Sequence, residues 1–442
     1  MAQATFHFPR GFLWGTATSS HQVEGNNTNN NWWAWEQEPG HIIHEDNSGL
    51  ACDWWGGRWR EDFDRARETG QNALRLSVEW SRIQPAPDRW DNAVLDRYHE
   101  MVRSLKERNI TPMVTLHHFT DPIWISEMGG WENNEISKYF ATYAQKVVEA
   151  LGDYVTLWIT INEPNVLATL GYLLKLFPPG KKDFKAIGRV FNNLVGAHAA
   201  AYHAIHKLQP AARVGIAINY RPVIPAKSWS PLDHLQAGLQ NNLFNEVIPQ
   251  TLRTGKLGFL SWRENFPQAK GTQDFIGLNY FSQECISFSL LRQNEFFCRR
   301  FYPSGAELSD TGFLANTPLG LAKAIHWALQ FKLPILITEN GIENSDDRLR
   351  QRYLVQHIHQ LWRAVNLNHP IKGYFHWTLV DNFEWERGWT QRFGLWELDL
   401  TTQTRRKRPS VDLYEEICRE NGLSSEMVAR YAPELISTLF PG

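Results

Sequence analysis

Short apolar, β-branched runs recur along the chain at Phe12–Thr18, Asn72–Trp80, Thr111–Phe119, Tyr154–Asn162, Arg213–Tyr220, Asp274–Phe281, Pro334–Glu339 and Ile371–Leu379. Each reads as a buried strand. Amphipathic stretches with a helical period separate most of them, at Trp59–Thr69, Ala93–Arg108, Asn134–Leu151, Arg189–Lys207, Leu319–Phe331 and Asp347–Asn366. The first stops at Gly70, as a helix should. Strand, helix, strand, repeated eight times, predicts an α/β chain whose parallel sheet closes on itself, a (β/α)8 TIM barrel with extended βα loops. No Pro/Ser-rich linker or shift in composition divides the chain, so residues 1–442 read as a single catalytic domain. The stretch from about Gln283 to Thr317 reads as a long, irregular, aromatic loop after the sixth strand.

A barrel of this kind carries its chemistry at the C-terminal ends of its strands. Those ends hold Gln22, Arg75, Glu79, His117, His118, Asn162, Glu163, Asn219, Asn279, Glu339 and Trp377. Two strings stand out, Thr160-Ile161-Asn162-Glu163-Pro164 and Ile337-Thr338-Glu339-Asn340-Gly341, because each ends a buried run on a carboxylate. Taking such a charge out of water costs roughly several kcal/mol unless it is compensated. Two of them on equivalent strand ends predict a carboxylate pair facing one pocket, and the best-known chemistry of that pair is glycoside hydrolysis. In the retaining form the carboxyls stand about 5–5.5 Å apart; one attacks the anomeric carbon, and the other protonates the leaving oxygen and then deprotonates water. Their environments must push their pKa values apart. Arg75 is the natural partner of the ionised one, since its fork holds two oxygens and keeps its charge. Spacing does not say which glutamate it serves, and Arg75, Glu79, Glu163 and Glu339 could equally form an ion-pair network that only shapes the barrel.

Composition narrows the classes. A formal net charge of −2, with both signs mixed along the chain, gives no pull toward nucleic acid. The one basic cluster, Arg405 to Arg408, reads as a solvated turn. Cys52, Cys285, Cys298 and Cys418 are widely spaced and form no C-x-x-C pair, which suits a reducing compartment. Met1 to Arg10 lacks the apolar stretch of a signal peptide, and no apolar run is long enough to span a membrane, so a cytoplasmic address is expected. His117 and His118 are adjacent on a strand, point to opposite faces and make a poor metal pair; no metal and no cofactor is expected. Twenty tryptophans are the one outlier, and an indole face suits the C–H face of a sugar.

Further ordered motifs accompany the two glutamates: Phe8-Pro9-Arg10-Gly11-Phe12-Leu13-Trp14-Gly15, Gln22-Val23-Glu24-Gly25, Leu76-Ser77-Val78-Glu79-Trp80-Ser81-Arg82, Leu116-His117-His118-Phe119, Phe275-Ile276-Gly277-Leu278-Asn279-Tyr280 and Leu379-Val380-Asp381-Asn382-Phe383-Glu384-Trp385. Over nearly its whole length the chain resembles glycoside hydrolase family 1, the β-glucosidase family. The resemblance implies Glu163 as acid/base, Glu339 as nucleophile, and Arg75 and Asn279 flanking the nucleophile. It implies Asn162 at the sugar 2-hydroxyl, and Gln22, His118, Glu384 and Trp385 at the other hydroxyls. It places Trp377 under the ring and Phe393 as an aromatic wall.

Three departures from that family pattern stand out. Phe281 replaces a Tyr whose hydroxyl bonds the nucleophile, Asn165 replaces a Trp on the aglycone side and is expected to widen it, and Phe119 replaces a Trp. Glu384 argues against the 6-phospho-glycosidases, and Glu163 against the thioglucosidases. The expected activity is therefore that of an exo-β-glycosidase on glucosides, with galactosides or fucosides tolerated. The alternatives are a transglycosidase using an alcohol or lipid acceptor, with Phe296, Phe297, Phe301 and Tyr302 as an apolar lip, and a non-catalytic sugar-binding relative. A β-glycoside or oligosaccharide is the expected partner, and a homo-oligomer stays open.

Overall fold

The computed structural model describes residues 4–260 and 262–441. All eight predicted runs form strands: β1 Leu13–Ala17, β2 Ala73–Ser77, β3 Thr111–His117, β4 Leu157–Asn162, β5 Arg213–Asn219, β6 Phe275–Asn279, β7 Ile335–Asn340 and β8 Ile371–Trp377. They close in chain order into one parallel barrel, β8 pairing with β1. Buried on both faces, the strands need near-continuous apolar sequence, which is why the runs show little alternation. Inside, Ala17, Ala73, Met113, Ile159, Phe275, Leu336 and Phe375 fill the barrel. Outside, strand and helix side chains form the larger core.

Among the described residues the longer helices are α1 Trp59–Glu68, α2 Asn92–Glu107, α3 Ile136–Leu151, α4 Pro164–Tyr172, α5 Phe184–Leu208, α6 Pro231–Asn241, α7 Val247–Thr254, α8 Pro318–Ala328, α9 Arg348–Asn366 and α10 Pro409–Glu420. α1 stops before Gly70, whose φ of +69° suits glycine. α5 starts earlier than its apolar period suggests, because the Asp183 carboxylate caps the amides of Lys185 and Ala186. α4, α6, α7 and α10 are not among the helices predicted from the sequence.

Two expectations need correction. The region after β6 is not simply irregular: Glu284–Phe288 and Cys298–Phe301 form an antiparallel hairpin, and Val223–Pro225 adds to it in parallel. The Arg405–Arg408 cluster is not a solvated turn. Arg405 and Arg408 are buried, the first paired with Asp62 at 3.1 Å and the second gripping both oxygens of Asp381 at 2.9 and 2.8 Å. Arg406 and Lys407 face solvent. Among the described residues no helix is long and apolar enough to cross a membrane.

Strand register shifts matter most for the site. Pairing slips between Ile159 and Asn162 on β4, between Leu278 and Asn279 on β6, and between Ile337 and Asn340 on β7. All three irregularities lie at the C-terminal rim, where a bulge re-aims side chains. Asn279 consequently sits opposite Glu339. Gly341 follows tightly: a Cβ there would lie 2.1 Å from the Trp377 carbonyl oxygen, so only glycine lets β7 leave the barrel beside β8.

Candidate active site

Glu339, near the end of β7, is buried and its Oε1 accepts directly from Nη1 of Arg75 on β2. The same guanidinium donates from Nη2 to Asn162 Oδ1 at 2.7 Å and from Nε to Thr115 Oγ1 at 3.1 Å. Among the described residues no other carboxylate pairs with it. This resolves the question left by spacing: Arg75 serves Glu339. Glu79 stands apart from the pair, accepting from Ser20 and Thr120 hydroxyls at 3.0 Å and from Ser81 Oγ at 2.7 Å. The four charged residues are therefore not one network.

Glu163 follows β4 in the left-handed region, at φ +46°, with Pro164 opening α4 behind it. Its amide donates to the Ala217 carbonyl at 2.8 Å, which pins this sharp exit. Its Oε1 accepts from Asn219 at 2.9 Å and from Asn279 at 2.8 Å. Asn279 is oriented in turn, because its Oδ1 accepts from Thr338 Oγ1 at 2.6 Å.

Burial is the largest influence on both glutamates and pushes both carboxyls above the ordinary range; at Glu339 the nearby Glu163 charge adds to it, and Arg75 opposes it. Burial by itself favours the neutral form of both. That would strand the Arg75 charge in a buried site with no anion against it, an expensive arrangement. The contact with Arg75 therefore favours the charged form of Glu339, whereas the hydrogen bonds to Glu163 come from the neutral amides of Asn219 and Asn279.

One wall of the site is aromatic. His118 lies between Trp377 and Trp385, at centroid distances of 6.1 and 5.9 Å and interplanar angles of 19° and 16°. Burial keeps its imidazole neutral, and Nε2 takes the Asn162 amide at 3.1 Å. Trp385 also stacks on His21, which is fixed by Glu36 at 2.6 Å. Gln22 is fully buried and donates to the Phe383 carbonyl at 2.7 Å and to Glu384 at 3.4 Å. Phe393 meets Phe281 edge-on at 6.1 Å.

These groups surround one cavity of about 140 Å³. Of the expected residues, His118, Asn162, Glu163, Glu339, Trp377, Glu384, Trp385 and Phe393 line it. Arg75, Asn279 and Gln22 stand behind that lining and hold it. Phe281 faces the cavity while Tyr280 turns away, its hydroxyl donating to the Thr317 carbonyl at 2.6 Å, as alternation predicts. Asn165 is not among the residues that line the cavity; its amide donates to the Asn219 and Phe244 carbonyls at 2.8 and 3.0 Å, joining loops behind the pocket. Of the four aromatics after β6, Tyr302 alone lines the cavity.

Sequence reasoning missed two ion pairs on the outer wall, Arg221 with Glu284 at 3.1 Å and Arg387 with Glu386 at 3.3 Å. Arg221, just past the end of β5, and Glu386, two positions after Glu384, could have been found from their places beside site residues. Glu284 lies in the hairpin that was read as irregular, so no pattern pointed to it.

The family model described as Glycosyl hydrolase family 1 matches residues 4–423. Beta-glucosidase A of Thermotoga maritima is 32% identical over 94% of this chain and 98% of its own length. A beta-galactosidase of Pyrococcus woesei is 30% identical over 95% of this chain and 98% of its own. The structure of the beta-glycosidase from Pyrococcus horikoshii matches with a TM-score of 0.90 at 35% identity, covering 97% of this chain and 98% of that one.

Proposed function

The chain belongs to glycosyl hydrolase family 1 and is a glycoside hydrolase; we propose that it is a retaining exo-β-glycosidase, removing the terminal non-reducing β-D-glycosyl residue by double displacement. One observation carries this reading, the unequal setting of two carboxyls on one cavity, with Arg75 against Glu339 and neutral amides against Glu163. Glu339 attacks the anomeric carbon while Glu163 gives its proton to the leaving oxygen. Once Glu339 is esterified its charge is gone, so the repulsion that held Glu163 protonated relaxes and Glu163 becomes the base for water.

Asn162, fixed between Arg75 and His118, takes the 2-hydroxyl. Gln22, His118, Glu384 and Trp385 hold the outer hydroxyls, over the Trp377 floor and beside Phe393. Buried polar groups that need hydroxyl partners reject molecules lacking them. Glucose is the proposed glycone, with galactose or fucose accepted, a range that fits the names of the relatives above. No cofactor takes part in this scheme. All 442 residues are read as one catalytic barrel at work in the cytoplasm, where four separate, buried thiols stay reduced.

The test is a proton NMR time course on nitrophenyl β-D-glucoside, galactoside, fucoside and 6-phosphoglucoside. Early β-sugar from the glucoside is expected. Early α-sugar would overturn double displacement, and release from the 6-phosphoglucoside alone would overturn the glycone.

A further inference from the structure

The cavity is walled by the excursions that follow β4, β5 and β6, and these carry a feature the glycoside chemistry does not use. Large apolar side chains stand in solvent there: Leu291 is 96%, Trp229 75% and Leu235 67% exposed, with Leu232, Leu239 and Leu290 also open. Leu232, Leu235 and Leu239 share one stripe of α6. The other side of α6 is already occupied, since Ala237 packs with Val223, Ile286 and Cys298. The Phe288 amide donates to Asp233 at 2.9 Å, which brings the hairpin tip with Leu290 and Leu291 to the first turn of α6, beside Trp229. At the hairpin's far side Phe296 meets Phe184 edge-on at 5.8 Å, under Lys182. The three excursions thus touch one another and form one face beside the cavity mouth.

The same three excursions are rich in basic residues. Residues 173–189, 221–241 and 282–302 together hold ten Lys and Arg against four Asp and Glu, in a chain of formal net charge −2. Lys181 and Arg189 pair with Glu132, Arg221 and Arg300 with Glu284, and Arg292 with Glu295, whereas Lys175, Lys182, Lys185, Lys227 and Arg299 form no ion pair among the described residues. Exposed Leu and Trp with a basic surround is the pattern of a surface that lies in the headgroup layer of an anionic bilayer, with the apolar groups below the phosphates and the cations among them. A contiguous apolar patch of this kind is uncommon on a surface that meets only water. We propose that this face docks the protein on an anionic lipid membrane, turning the cavity mouth toward amphiphilic β-glycosides in the same bilayer. The docking stands on the surface alone, and only the choice of substrate rests on the function proposed above.

The experiment is co-sedimentation of the intact protein with vesicles of phosphatidylcholine alone and of phosphatidylcholine mixed with phosphatidylglycerol, at low and high salt. Binding to the mixed vesicles is expected, weakened about tenfold or more by salt or by omitting the anionic lipid. A W229S/L291S variant and a K182E/K185E variant should each lose about tenfold in partitioning, with kcat/KM on soluble nitrophenyl β-D-glucoside unchanged. No binding to anionic vesicles, or equal binding by both variants, would overturn the proposal. So would light scattering that shows a dimer which W229S/L291S splits into monomers, since the face would then belong to a second copy. Binding without any glycosidase activity would sink the proposed function and leave the docking intact.

Discussion

Arg75→Lys separates the two glutamates most sharply. Lysine keeps a cation near Glu339 but cannot also reach Asn162 and Thr115, whose bonds to the guanidinium measure 2.7 and 3.1 Å. Hydrogen bonds to a charged group are worth about 1.5–3 kcal/mol each, so losing two in a partly compensated site costs about 2–4 kcal/mol. At about 1.4 kcal/mol per factor of ten, kcat/KM falls about 30- to 1,000-fold. The pH profile carries the diagnostic. Activity needs Glu339 ionised and Glu163 protonated, so Glu339 sets the acidic limb and Glu163 the basic limb. A guanidinium in contact holds Glu339 down against its burial, and weakening that contact lets its pKa rise, so the acidic limb moves to higher pH. Arg75→Met, with no cation at all, should move it further in the same direction. The assay is kcat/KM on nitrophenyl β-D-glucoside across pH, with circular dichroism confirming a folded barrel. An acidic limb that stays in place while the basic limb alone moves would refute the assignment of charge to Glu339.

Other outcomes follow from the same geometry. Glu163→Ala should lose activity on poor leaving groups and regain part of it with azide, giving a β-glycosyl azide by NMR; an α-azide would exclude its role as acid/base. Glu339→Gly should lose hydrolysis almost entirely yet build oligosaccharides from an α-fluoro sugar, and intact hydrolysis would show the nucleophile misassigned. Phe281→Tyr restores a hydroxyl to the cavity wall and should leave kcat equal or higher; a collapse would show that the bare phenyl is needed against Phe393. Arg408→Ala leaves the Asp381 carboxylate buried and stripped of its bidentate partner, at a cost of about 3–5 kcal/mol in chemical unfolding. A loss under about 1 kcal/mol would mean that Asp381 finds another cation, with Arg392 nearby the candidate.

What the sequence determined by itself is local and periodic. Eight two-sided strands must be continuously apolar, so all eight were legible, and their ends named the polar rim from Gln22 to Trp377. The motif glutamates were legible because a carboxylate at the tip of a buried strand is too costly to be incidental. The tertiary structure decided everything that depends on a partner from elsewhere in the chain. Arg405 and Arg408 read as a solvated run because their acids, Asp62 and Asp381, are distant in sequence. That Asn165 joins two loops was not legible either, because Asn219 and Phe244 are distant in sequence. The allegiance of Arg75 was likewise undecidable from spacing. Charge pairing acts through space over a few ångströms and carries no period along the chain, so only the closed barrel, with β2 and β7 facing across it, could place the guanidinium on Glu339 and leave Glu163 to its amides.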